Sequence, residues 1–202
     1  GQTTGWANFT ENNIFGHCTT WHNDYVEAGA WACSHLWQHY RYTLDKDFLK
    51  EKALPVMISC VKFWMERLVL ASDGTYECPN EWSPEHGPSE NATAHSQQIV
   101  WNLFSNTLDA IKEIGNHEAG ITDDFVSKLT TIFKRLDNGL HKEVYKGTYG
   151  SPRFSVNLGD SMLREWKYTD YATGNGSESS HRHLSHLMAL YPLDELPLSS
   201  PF

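Results

Sequence analysis

The densest cluster of chemically unusual residues in the chain is Asn80-Glu81-Trp82-Ser83-Pro84-Glu85-His86-Gly87-Pro88. A carboxyl group set among Trp, His and two prolines on a stiff loop is suited to general acid work: apolar neighbours disfavour its charged form, and the prolines limit its movement. In glycoside hydrolysis such an acid protonates the leaving oxygen, while a group on the opposite face of the sugar ring activates water. Glu85 is the candidate acid, and Glu81 is a rival in the same run. The competing structural reading makes Glu85 a loop carboxylate that caps the following helix or pairs with His86, because structural ion pairs perturb acids as well.

A second cluster is His181-Arg182-His183-Leu184-Ser185-His186-Leu187. At the start of a helix, Arg182 and His183 can donate hydrogen bonds from the first turn into a pocket, and donors held in fixed geometry suit a polyol. His186 follows His183 by one helical step, the spacing of a metal pair. No acidic or cysteine ligand stands nearby in a metal spacing, so hydrogen bonding is the expected role and no metal is expected. Trp6, Trp21, Trp31 and Trp82 read first as packing residues, with one or two available to stack on a sugar face.

Positioning these clusters falls to helices. Val26, Ala30, Cys33, Trp37 and Tyr40 recur at three or four residues and predict a first helix from Asp24. Asp45 is a fitting N-cap for a second, whose buried face is Phe48, Leu49, Ala53, Met57, Ile58, Val61, Trp64 and Leu68, with a bend or break at Pro55. After a turn at Asp73-Gly74 and a functional loop over Tyr76 to Asn91, the period resumes with Ile99, Val100, Leu103, Phe104, Leu108 and Ile111. A further helix is capped by Asp123, carries Phe125, Leu129, Ile132, Phe133 and Leu136, and ends near Gly139. Lys142 to Asp160 reads as loop, Ser161 to Trp166 as a short helix, and Gly174 to Ser180 as a polar connection. A last helix is expected from His181 to Pro192, and Gly1 to Asn23 as a long structured loop. The class is all-α, stacked helical hairpins; spacing alone leaves an α/α barrel and an open solenoid both possible.

Composition narrows the partners. The 202 residues carry a net charge of -9, 13% aromatics including eight Trp, and 20% charged residues, the profile of a packed globular chain. No Lys or Arg stripe could neutralise a phosphate backbone, so nucleic acid is excluded as an expected partner. No apolar run approaches the roughly 20 residues of a membrane helix. Cys18, Cys33, Cys60 and Cys78 are too widely spaced for a CxxC motif and read as mostly buried thiols.

Several motifs, in this order and spacing, carry a resemblance: Gly29-Ala30-Trp31, His35-Leu36-Trp37-Gln38-His39-Tyr40, Ser83-Pro84-Glu85, Arg164-Glu165-Trp166, the run from His181 to Leu187, and Tyr191-Pro192. Together they resemble glycoside hydrolase family 95 across nearly the whole chain, and several motifs in order are far more specific than any one. The resemblance implies an inverting exo-enzyme, chiefly an α-L-fucosidase or α-L-galactosidase, on an (α/α)6 barrel. It places Glu85 as general acid and Arg182 and His183 as a substrate-binding pair, with a glycan as substrate, no cofactor, and export to the periplasm or outside the cell. The family's water-activating group is an asparagine of an Asn-x-Asn motif polarised by an aspartate of an Asp-Gly-Asn-Phe-Gly motif, and this chain contains neither. A closed barrel needs about twelve helices of roughly 11 to 12 residues. Residues 1–202 are therefore expected to be one fragment, about half of such a barrel, inactive without the remainder of its own catalytic domain. Two alternatives are a glycoside phosphorylase, with Arg182 and the histidines on phosphate, and a non-catalytic helical scaffold that binds glycans or protein.

Overall fold

The computed structural model describes residues 26–84, 86–146, 157–170 and 183–196. These fall into two compact units, one drawn from Gly1–Glu77 and Ile99–Asp137, the other from Cys78–Gln98 and Asn138–Phe202. The expected loop over residues 1–23, with Cys18, Trp6 and Trp21, and the connection over residues 174–180 lie outside the described residues.

The first unit is helical. Helix α1 (Ala28–Thr43) buries Ala30, Cys33 and Tyr40, three of the five residues its period selects. Leu44 ends it in the left-handed region, its N–H returning to the Tyr40 carbonyl at 2.7 Å. Asp45 then caps the next segment as expected, accepting from the Phe48 N–H at 2.9 Å. That segment runs through α2 (Lys46–Phe48), a π-helical turn (Leu49–Ala53) and α3 (Leu54–Arg67). The widened turn sits immediately before Pro55, which has no N–H for the regular ladder, so the helix changes pitch there instead of breaking. Leu49, Ala53, Leu54, Met57, Val61 and Trp64 form the core and are shielded almost completely. Where α1 packs on α3, the buried Cys33 thiol is hydrogen-bonded to Cys60, and that contact together with burial pushes it well above the usual thiol range.

The part of α4 (Ala94–Ile114) from Ile99 onward adds Ile99, Val100, Leu103, Phe104 and Ile111 to this core, and α5 (Asp123–Phe133) adds Leu129. The cap of α5 is Thr122 and not Asp123: its hydroxyl accepts from the Phe125 N–H at 3.3 Å, which leaves Asp123 in the first turn, where its charge favours the helix dipole. Gly139 does not end this helix, since Lys134 is its C-cap. Two short strands, β1 (Val69–Leu70) and β2 (Tyr76–Glu77), pair antiparallel around the Asp73-Gly74 turn, closed by the Asp73 carboxylate accepting from the Thr75 N–H at 2.8 Å.

The second unit departs more from expectation. Helices dominate the described residues, but three two-stranded antiparallel ribbons are added among them in stretches that read as loop or helix. Two belong here: β3 (Glu81–Ser83) with β4 (His86–Glu90), and β5 (Lys142–Val144) with β6 (Ser161–Leu163). The helix expected over Ser161 to Trp166 is thus a strand and its exit. The Asp160 carboxylate accepts from the Asn157 N–H behind it at 2.8 Å, closing a turn instead of capping a helix ahead. In the described part of the last expected helix, only a 3-10 turn forms (Ser185–Leu187), with the Leu187 N–H bonded to the Leu184 carbonyl at 3.0 Å.

Candidate active site

All described parts of the candidate site belong to the second unit. The β3–β4 ribbon pairs Glu81 with Glu90 and Ser83 with His86, so only Pro84 and Glu85 separate its two strands along the chain. Alternation along β3 turns Glu81 and Ser83 to the same buried side. Glu81 is wholly buried on that side. Glu85 and Arg182 lie outside the described residues. His183 is described and exposed, at the start of the segment that leads into the 3-10 turn.

What the structure brings together is a set of polar residues that the spacing of the sequence does not connect. The hydroxyls of Ser83 and Ser185 both donate to Oε1 of Glu165, the second at 2.7 Å, and the two hydroxyl oxygens lie 2.8 Å apart. All three residues are buried. Three motifs far apart in the chain therefore meet on one carboxylate: Ser83-Pro84-Glu85, Arg164-Glu165-Trp166 and the run that contains Ser185.

Further bonds hold the same segments. The Trp166 indole N–H donates to the Pro88 carbonyl at 3.1 Å, and the Glu90 carboxylate accepts from the Tyr168 and Thr169 N–H groups at 2.8 and 3.1 Å. The Glu165 carbonyl accepts from the Ala94 N–H at 2.9 Å, at the start of α4. Arg164 pairs with Glu143 at 3.3 Å, which ties this stretch to the β5–β6 ribbon.

The N-terminal part of α4 supplies a second organising element. Gln98, fully buried, donates through Nε2 to the carbonyls of Gly139 (3.0 Å) and His186 (2.9 Å) and accepts at Oε1 from the Ala189 N–H (2.8 Å). Its neighbour Gln97 accepts from the Cys78 N–H at 2.9 Å. Backbone groups that burial would otherwise leave unsatisfied are thereby paired by two side chains. A hint lay in the sequence: His95, Ser96, Gln97 and Gln98 are four polar residues leading directly into the apolar run that starts at Ile99, and all four are buried.

Burial lowers the pKa of His186 below its ordinary 6.5, and the nearby Glu165 carboxylate pulls more weakly the other way. A histidine whose folded pKa lies below its unfolded value adds full stability above about pH 6.5, and that contribution is lost as the pH falls through the folded value. A His186→Gln variant should therefore lose less of its urea midpoint between about pH 7 and about pH 5 than the parent. Identical losses in the two proteins would show that His186 does not contribute to this pH dependence. Among the described residues, no group of three His, Cys, Asp or Glu side chains is arranged to hold a metal ion.

Comparison with known proteins gives this site a context. Over 204 residues the chain is 31% identical to "Probable alpha-fucosidase A" of Aspergillus niger, covering 95% of this chain and 23% of that protein. It is 32% identical over 197 residues to "Alpha-L-fucosidase 2" of Arabidopsis thaliana, covering 94% of this chain and 21% of that protein. A "Kojibiose hydrolase" of Mucilaginibacter mallensis is 32% identical over 138 residues, or 63% of this chain and 19% of that protein. The chain thus spans less than a quarter of the length of these relatives. The model of the glycosyl hydrolase family 95 catalytic domain matches residues 1–200, and the chain belongs to that family.

Proposed function

We propose that the protein containing this chain is an exo-acting, inverting glycoside hydrolase that removes terminal L-fucose or L-galactose from glycans. Glu85 is its general acid, and Arg182 and His183 hold the sugar. The chain contributes about half of an (α/α)6 barrel, and the water-activating residues come from the rest of the protein, so the chain alone is inactive. Its place of action is the periplasm or the outside of the cell. The observation that supports this most is the buried carboxylate of Glu165, which accepts from Ser83 and Ser185 and so ties together the segments leading to Glu85 and away from His183.

The chemistry follows from these roles. Cleavage of the glycosidic bond leaves developing charge on the departing oxygen, and a carboxylic acid within hydrogen-bond reach neutralises it by proton transfer. Water enters from the opposite face, so the sugar leaves with inverted configuration at its anomeric carbon. Cationic and imidazole donors on the sugar hydroxyls orient the ring for that displacement and exclude poses in which the acid cannot reach.

The test uses the protein from the complete reading frame. Given an oligosaccharide with terminal α-L-fucose, it should release free fucose that appears first as the β anomer by NMR, at a rate unchanged by added phosphate. First appearance of the α anomer would overturn the single displacement, and phosphate-dependent release of a sugar phosphate would make the enzyme a phosphorylase. Kojibiose, the substrate named for the Mucilaginibacter mallensis relative, is the comparison compound, and turnover of kojibiose without turnover of fucosides would replace the substrate class.

A further inference from the structure

We infer that Glu165 is a positioning residue of the proposed hydrolase, acting through Ser83 on the general acid and through Ser185 on the sugar-binding segment. The inference rests on the assignment of Glu85, Arg182 and His183 made above. Its starting point is covalent: two residues of chain span at most about 7 Å. Glu85 follows Ser83 by two residues, and His183 precedes Ser185 by two. One oxygen, Oε1 of Glu165, therefore holds a fixed point within a short reach of both functions.

A link meant only to join segments would be made more cheaply by apolar contact, because burying a carboxylate requires strong partners. Apolar contact lets segments slide. Short hydrogen bonds to a single oxygen do not, and they fix the mutual register of the β3–β4 ribbon and the 3-10 turn. Proton donation demands such register, since the acid must lie within hydrogen-bond distance of the leaving oxygen. Misplacement by about 1 Å can cost about 100-fold in rate. Glu165 is itself held from both sides, by its carbonyl on the Ala94 N–H and by the bond from the neighbouring Trp166 indole to Pro88.

The test compares two substrates of the complete protein: a fucosyl disaccharide, whose leaving group needs a proton, and α-L-fucosyl fluoride, whose leaving group needs little help. Ser83→Ala and Glu165→Gln should each lower kcat on the disaccharide by about 10- to 100-fold, with kcat on the fluoride within about twofold of the parent. Ser185→Ala should act mainly on KM, raising it by about 10-fold for both substrates, because it frees the sugar-binding segment and not the acid. Equal loss on both substrates by Ser83→Ala and Glu165→Gln, or no loss at all, would overturn the inference and leave Glu165 a packing element. Glu85→Gln is run beside them. If that variant discriminates between the substrates and the others do not, the inference alone falls; if Glu85→Gln does not discriminate, the assignment of the acid falls and the inference with it. Should Glu165→Gln fail to fold, the two serine variants, each of which leaves the carboxylate one hydroxyl donor, decide between these outcomes unaided.

Discussion

Replacing Glu85 by glutamine in the complete protein should lower hydrolysis of a natural fucoside by about 10²–10⁴-fold, the range that general acid catalysis contributes. Glutamine keeps the size of the side chain and its hydrogen-bonding capacity, but its amide cannot give up a proton to the leaving oxygen. The effect should fall on kcat and kcat/KM together, because the lost interaction develops only in the transition state. The pH profile gives an independent check. In the parent, activity should decline on the alkaline side as the acid loses its proton, and in Glu85→Gln that limb should disappear. A rate within a few-fold of the parent on the natural substrate would end the assignment, whatever the variant's behaviour on activated substrates.

The second large effect is on stability. Gly139 has φ +70, and a Cβ there would lie 2.8 Å from the Ala94 carbonyl oxygen and 2.9 Å from Cγ of Gln98. Gly139→Ala should therefore add two penalties. The left-handed conformation costs a non-glycine residue about 1–2 kcal/mol, and forcing a methyl group into a closed site costs about 1–3 kcal/mol more. Gly120 separates them, because it has the same φ of +70 and nothing within 4 Å of its would-be Cβ. Gly120→Ala should show the backbone penalty alone, about 1–2 kcal/mol. Urea unfolding of both variants and the parent gives the comparison. Equal midpoints for the two variants would mean that the contact with α4 yields without cost. Gly139→Ala should also disturb activity, since the atom it displaces belongs to the side chain that holds the His186 carbonyl.

Much of the helical framework was legible because helices facing a core repeat at a fixed period. Ala30, Cys33, Met57, Val61, Trp64, Leu103 and Phe104 all fall where that period puts them. Caps were legible to within a residue. Asp45 is the cap its position suggests, whereas Thr122 and Asp123 are both capable caps and only the backbone angles decide between them. Three-residue strands were not legible, since Ser-Met-Leu carries no period and its pairing partner, Lys142–Val144, is distant along the chain.

The motifs around Glu85, Glu165 and His183 could each be seen in the chain, and their resemblance to a family was sound. Their meeting could not be read, because the bond from Ser83 to Glu165 joins residues 82 apart and neither serine stands out by type. Glu81 illustrates the same limit: in the sequence it is as good a carboxylate as Glu85, and its complete burial could not be read there.

Gln98 touches its three partners solely through main-chain atoms: two carbonyls and one amide. It therefore reads the path of the segment from His186 to Ala189 and is blind to which side chains that segment carries. Path and letters are uncoupled. Such a segment can exchange its exposed residues without the scaffold being rebuilt each time. For engineering, the rule is concrete: admit no insertion or deletion around the 3-10 turn, keep glutamine at position 98 and serine at 185, and vary only the exposed side chains there.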